Sequence, residues 1–193
     1  DEPKPMSSIV ESIEAEYRRY KALGEGVFAQ VDDDELSAPG PRDGNSIAVI
    51  VWHVAGNLAS RFTDFLTADG EKPWRQREEE FARRTVSRQE LMTKWEHGWS
   101  SLLDALSELT DDHLTHTVTI REQPLRVHEA LHRSLAHVSY HVGQIVYLAK
   151  LHRGDAWRSL SIPPGTSAVY NENPTLERPV DHATTLNRRS GRD

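Results

Sequence analysis

Three histidines are spaced so that they can share a cation. His137 and His141 stand four residues apart in Ala136-His137-Val138-Ser139-Tyr140-His141-Val142-Gly143-Gln144, and side chains at that spacing lie about one turn apart on the same face of a helix. His53, in Val51-Trp52-His53-Val54-Ala55, belongs to another apolar stretch far upstream. A third imidazole from a facing helix would complete a triad. Three protein ligands leave one coordination position for water or substrate, the arrangement of a catalytic rather than a structural site.

Helical phase separates these histidines from the others. At about 100° per residue, His137 and His141 fall within roughly 40° of each other, beside the apolar stripe of Leu131, Leu135, Val138, Val142 and Ile145. His128 and His132 have the same spacing but project from the opposite side, which reads as a solvated face. His97, His113, His116, His152 and His182 fall in polar or loop surroundings. A lone inward histidine is ordinarily a core residue satisfied by a carbonyl or carboxylate. Three at the borders of apolar faces need either three such partners or one cation, because a buried imidazole without a partner is costly.

A polar line also runs along the upstream helix: His53, Asn57, Arg61 and Asp64, at offsets of four, eight and eleven. It reads either as one wall of a cleft, with Arg61 binding an anionic group and Asp64 orienting it, or as an ion-paired edge within the helix. Tyr140 and Gln144 are placed for hydrogen bonds behind the histidine pair. The candidate substrate contacts are therefore Asn57, Arg61 and Gln144. No carboxylate is positioned to be named as a general base.

Four amphipathic helices must carry these residues. The first opens at the capping box Ser8-Ile9-Val10-Glu11, and the second runs from about Ser46 to Leu66 after the breakers Pro39-Gly40-Pro41 and Gly44-Asn45. The third opens at a second capping box, Ser87-Arg88-Gln89-Glu90, and presents Leu91, Trp95, Trp99, Leu102 and Leu106 before stopping near Asp111. The fourth covers about Val127 to Leu151. Before it, His116–Ile120 and Pro124–Val127 flank a polar turn and read as a small hairpin. The pattern predicts an all-α four-helix bundle. The connection from about Thr67 to Val86 is too long to join antiparallel neighbours. It predicts a crossover between helices two and three and an up-down-down-up order. Residues 1–171 are read as one domain, and 172–193, rich in Pro, Asn and Arg, as a polar disordered tail.

Composition narrows the function. A formal charge of −7 and no Lys/Arg stripe argue against nucleic-acid binding. No apolar run reaches the roughly 18 residues of a membrane span, and Asp1–Pro5 lacks the basic and apolar regions of a signal peptide, so a cytoplasmic location is expected. The 193 residues include no cysteine, so any thiol in the chemistry has to come from outside the chain.

The residues also carry a resemblance. Val51-Trp52-His53-Val54-Ala55-Gly56-Asn57 followed by His-x-x-x-His on the last helix resembles the DinB-like superfamily of metalloenzymes, which includes YfiT-like proteins and bacillithiol- or mycothiol-dependent transferases. Gly56–Leu66, Asp69-Gly70-Glu71-Lys72-Pro73-Trp74-Arg75 and Leu160–Gly165 look like its DUF1572 branch, and the likeness covers roughly residues 9 to 171. It implies a divalent ion, nickel or zinc, on His53, His137 and His141, and frequent homodimers. It further implies a small-molecule substrate and an S-transferase that passes a low-molecular-weight thiol to electrophiles. A metal-dependent hydrolase and a non-enzymatic, metal-binding dimer are the competing expectations.

Overall fold

The structure, a computed structural model, describes residues 8–178, 184 and 186. Among these the long helices are α1 (Ile9–Phe28), α3 (Ile47–Phe62), α5 (Arg88–Ser107) and α6 (Val127–Arg153), with short α2 (Asp33–Ser37), α4 (Arg77–Glu80) and α7 (Ser167–Glu172). One two-stranded antiparallel sheet, β1 (Thr117–Ile120) and β2 (Gln123–Arg126), completes a mostly helical fold. No helix among the described residues is long and apolar enough to cross a membrane.

Local chemistry sets the helix starts. Ser8 with Glu11, and Ser87 with Glu90, form reciprocal capping boxes that satisfy the first free amides of α1 and α5. Asp32, within a run that also punctuates the chain, caps α2 in the same way with Glu35. Ser46 Oγ accepts from Val49 N–H at 3.2 Å to start α3. The end of α3 departs from the sequence reading. The helix stops at Phe62, Thr63 turns to extended backbone, and Asp64 takes a left-handed φ of 50°. The polar line therefore ends at Arg61, and Asp64 lies outside it, exposed.

The four long helices touch in a ring: α3 on α5, α5 on α1, α1 on α6 and α6 on α3. Contacts at their ends give the directions. Arg88, at the start of α5, donates to the carbonyls of Phe28, the last residue of α1, and Val31 just beyond it. Beyond the other end of α5, the Asp111 carboxylate accepts from Ile9 and Val10 N–H, each at 3.0 Å, so α1 and α5 run opposite ways. The end of α3 lies beside Ser101–Glu108 at the end of α5, which makes α3 and α5 parallel neighbours. A Cβ on Gly98 would come within 2.5 Å of Ala55 Cα, so glycine is what lets this pair pack so closely. The interior is built on Tyr17, Phe28, Trp95 and Trp99, with Phe28 meeting Trp95 edge-on at 5.2 Å between ring centroids.

The connector between α3 and α5 explains how they come to be parallel. It returns along the outside of α3: Arg61 donates to Gly70 O, Lys72 N–H to Ser60 Oγ at 3.3 Å, and α4 packs on α3 nearer its start. Val86 N–H then reaches Ser37 Oγ at 3.1 Å, beside the beginning of α3. Of the expected tail 172–193, residues 179–183, 185 and 187–193, including His182, lie outside the described residues. Leu176 and Leu186 are buried.

Candidate metal centre

The middle of α3 faces the middle of α6, and there the three histidines meet. Each offers one ring nitrogen within 4.8 Å of the other two. His137 Nε2 lies 3.1 Å from His53 Nε2 and 3.2 Å from His141 Nε2. His53 is buried, while His137 and His141 are half-buried.

For His53 and His141 an outer partner fixes which nitrogen carries the proton. His53 Nδ1 lies 2.9 Å from Glu80 Oε2. Burial pulls the Glu80 pKa up, but the bonds from Arg75 and His53 outweigh it and hold the carboxyl below its usual range. An ionised carboxylate only accepts, so His53 donates from Nδ1 and its Nε2 presents a lone pair. His141 Nδ1 lies 2.8 Å from Gln144 Oε1, and Gln144 Nε2 donates to the Tyr140 hydroxyl at 3.1 Å. With the amide oriented that way, His141 also turns its lone pair inward. His137 has one Nε2 between two inward lone pairs and can donate to only one of them. A cation at the centre would take all three Nε2 lone pairs, leaving the His137 proton on Nδ1, which is buried with no hydrogen-bond partner among the described residues. Two imidazole nitrogens bound about 2.0–2.1 Å from one ion at the tetrahedral angle stand about 3.3 Å apart, close to the two spacings from His137, 3.1 and 3.2 Å.

The electrostatics favour the ligating form. Burial, then the imidazoles of His141 and His53, then the guanidiniums of Arg75 and Arg61 push the His137 pKa down to about 3. Burial lowers that of His141, partly opposed by its bond with Gln144. Both are therefore neutral near pH 7, as coordination requires.

Glu80 is the functional residue that periodicity could not find. It lies on the connector, 27 positions from His53, and Arg75 grips it with two bonds, Nε to Oε1 at 2.8 Å and Nη2 to Oε2 at 2.9 Å. The Arg75 side chain is 2% exposed. Phe81, next in sequence, lies against the His53 ring at 4.7 Å. Gly56 makes room for this group, since a Cβ there would overlap Glu80 Oε1. The only advance signal was Arg75 and the Glu78-Glu79-Glu80 run in an otherwise polar segment.

A cavity of about 290 Å³ opens beside the centre, with His137, Asn57 and Arg61 in its wall. Arg61 donates to Gly70 O and Glu71, so its ion pair goes to the connector rather than along its own helix. Gln144 lies elsewhere, holding His141. His128 bonds Leu114 O through Nδ1 at 2.8 Å and stays outside the centre, as does exposed His132. His152 is a correction to the polar reading: the residue is half-buried and its Nε2 is shielded from solvent.

The hairpin roofs this cavity. Its turn residues Arg121 and Glu122 both have positive φ, 55° and 63°, the pairing that closes a two-residue hairpin. Asp69 holds the turn, accepting from Arg121 N–H at 2.9 Å and Glu122 N–H at 2.8 Å.

Residues 6–166 match the family described as "Protein of unknown function (DUF1572)", and the chain belongs to that family. It also superimposes on the crystal structure of a DinB-like protein from Bacillus cereus ATCC 10987. The TM-score is 0.56 and the identity 17%, over 75% of this chain and 93% of that one, a likeness of fold. No curated protein matches the chain. The family match thus makes the chain a DUF1572 protein, and the fold it has is one shared with a DinB-like protein.

Proposed function

We propose that this protein holds a divalent metal ion, nickel or zinc, on His53, His137 and His141, and uses it in a small-molecule reaction. The observation that carries this reading is the pair of imidazoles, on His53 and His141, held by Glu80 and Gln144 with their Nε2 lone pairs turned toward a third. A divalent ion on three neutral ligands keeps its full charge and acidifies a water or thiol beside it, supplying a nucleophile near neutral pH.

The chain's own residues do the rest. Glu80 and Gln144 hold two ligand rings in orientation, and Arg75 keeps Glu80 ionised. The cavity beside His137 gives a substrate a route to the centre, which favours a catalyst over an inert support. The finer reading is transfer of a low-molecular-weight thiol to a small electrophile in the cytoplasm. It rests on the family resemblance and on a chain without cysteine, which has to take its thiol from solution. A homodimer is part of the same proposal, supported by exposed Tyr140, Tyr147 and Leu151 on the outer side of α6.

The test begins with metal analysis of protein purified without a histidine tag. One ion per chain, lost in His137→Ala, is the expected result. A melting temperature indifferent to chelator, with no ion bound, overturns the proposal. The loaded protein is then assayed on electrophile panels with and without added thiol. Thiol-dependent turnover is expected, whereas ester or amide cleavage without thiol assigns a hydrolase.

A further inference from the structure

The two helices that carry the histidines continue as one polar wall. On α3, Asn57 and Arg61 follow His53 at successive turns, and on α6 Arg133 precedes His137 by one turn. All four of Asn57, Arg61, Arg133 and His137 line the same cavity, and Arg121 reaches it from the hairpin turn. The lining thus includes three guanidinium groups and no carboxylate.

Neutralisation is incomplete. Glu71 Oε2 takes both Arg61 Nη1 and Arg121 Nε, each at 3.0 Å, so one carboxylate faces two cations. Arg133 has no hydrogen-bond or ion-pair partner among the described residues. The remaining N–H groups of Arg61, its Nε and Nη2, likewise have no protein partner there, and neither is sealed from solvent. Guanidinium groups in such a setting favour oxyanions such as carboxylate and phosphate, which they grip with paired N–H bonds. The other wall is apolar: Phe62, Phe65, Ile120 and Leu125.

From this juxtaposition we infer that the cavity binds a small molecule with an apolar body and an oxyanion, carboxylate or phosphate, held by Arg61, Arg121 and Arg133 while the rest of the molecule reaches toward His137. This names the substrate class of the centre proposed above and rests on that reading for its catalytic meaning. The binding itself does not require the ion.

The experiment is calorimetric titration of the full chain, first stripped with chelator, using 3-phenylpropionate, phenyl phosphate and the neutral 3-phenylpropanamide at fixed ionic strength. At least one anion should bind about tenfold tighter than the amide, the worth of one good charge-assisted contact. Arg133→Gln and Arg121→Gln, both at exposed positions, should each remove most of that advantage and leave the amide unchanged. Equal affinity for amide and anions, no binding of any probe, or anion affinity that survives both substitutions overturns the inference. So does anion binding seen only in metal-loaded protein and lost in His137→Ala, which makes the anion a ligand of the ion and leaves the metal reading intact. Arginine-dependent anion binding in a chain that never takes up an ion supports the inference and overturns the metal reading instead.

Discussion

Glu80 stands behind His53 as a gripped carboxylate: Oε2 accepts the Nδ1 proton at 2.9 Å while both oxygens are held by Arg75. Removing it should loosen the ligand without deleting it. Glu80→Ala is expected to weaken divalent-ion affinity by about 10–100-fold, the usual effect of losing a ligand's outer partner. It also leaves the Arg75 guanidinium buried and unpaired, at about 3–5 kcal/mol of stability. Competition against a chromophoric chelator reads the first effect and denaturant melting the second. Unchanged affinity in the folded variant sinks this role for Glu80.

Gly56→Ala tests the same contact from the other side. The added methyl would overlap Glu80 Oε1, so the connector has to shift, an overpacking cost of about 1–3 kcal/mol. Metal affinity should drop along with stability. A variant that melts like the parent and binds the ion equally well would show that the connector gives way freely.

Phase on α6 predicts a contrast between two histidine pairs of identical spacing. His141→Ala should abolish stoichiometric metal, whereas His132→Ala, on the exposed side, should leave metal content and melting temperature within error. Equal losses from the two substitutions would contradict the convergence at His137.

Acid should destabilise the metal-free protein through His137. Its imidazole titrates near 6.5 in an unfolded chain and near 3 in the fold, so between those values the unfolded state binds more protons and falling pH favours unfolding. The contribution is full above about pH 6.5 and is lost progressively toward pH 3, at no more than about 1.4 kcal/mol per pH unit for one proton. Stability measured from pH 7 to 5 should fall less steeply in His137→Gln. Identical slopes for parent and variant argue against this.

The triad was legible in the sequence because it rides on regular helices: a fixed angle per residue turns the positions of His53, His137 and His141 into directions. The same rule failed at Asp64, where the helix had ended at Phe62 and the angle no longer applied. The hairpin was visible from its polar turn between apolar runs. Glu80 was not legible, because a connector without periodicity carries no directional information and its contact with His53 exists only through space. Arg133 stands one turn before His137, but its position carried no sign of the cavity, because the residues that close that cavity around it come from α3 and the hairpin. The cavity's charge became plain only when the hairpin turn brought Arg121 across to α3.

The connector carries Asp69 to the hairpin turn and Glu80 to His53, only eleven positions apart in one strip of chain. Roof and foundation of the cavity are thus hung from a single beam. Lengthening or shortening that strip between the two anchors would misalign both at once, and exchanging it between relatives should transplant a whole chamber rather than one contact.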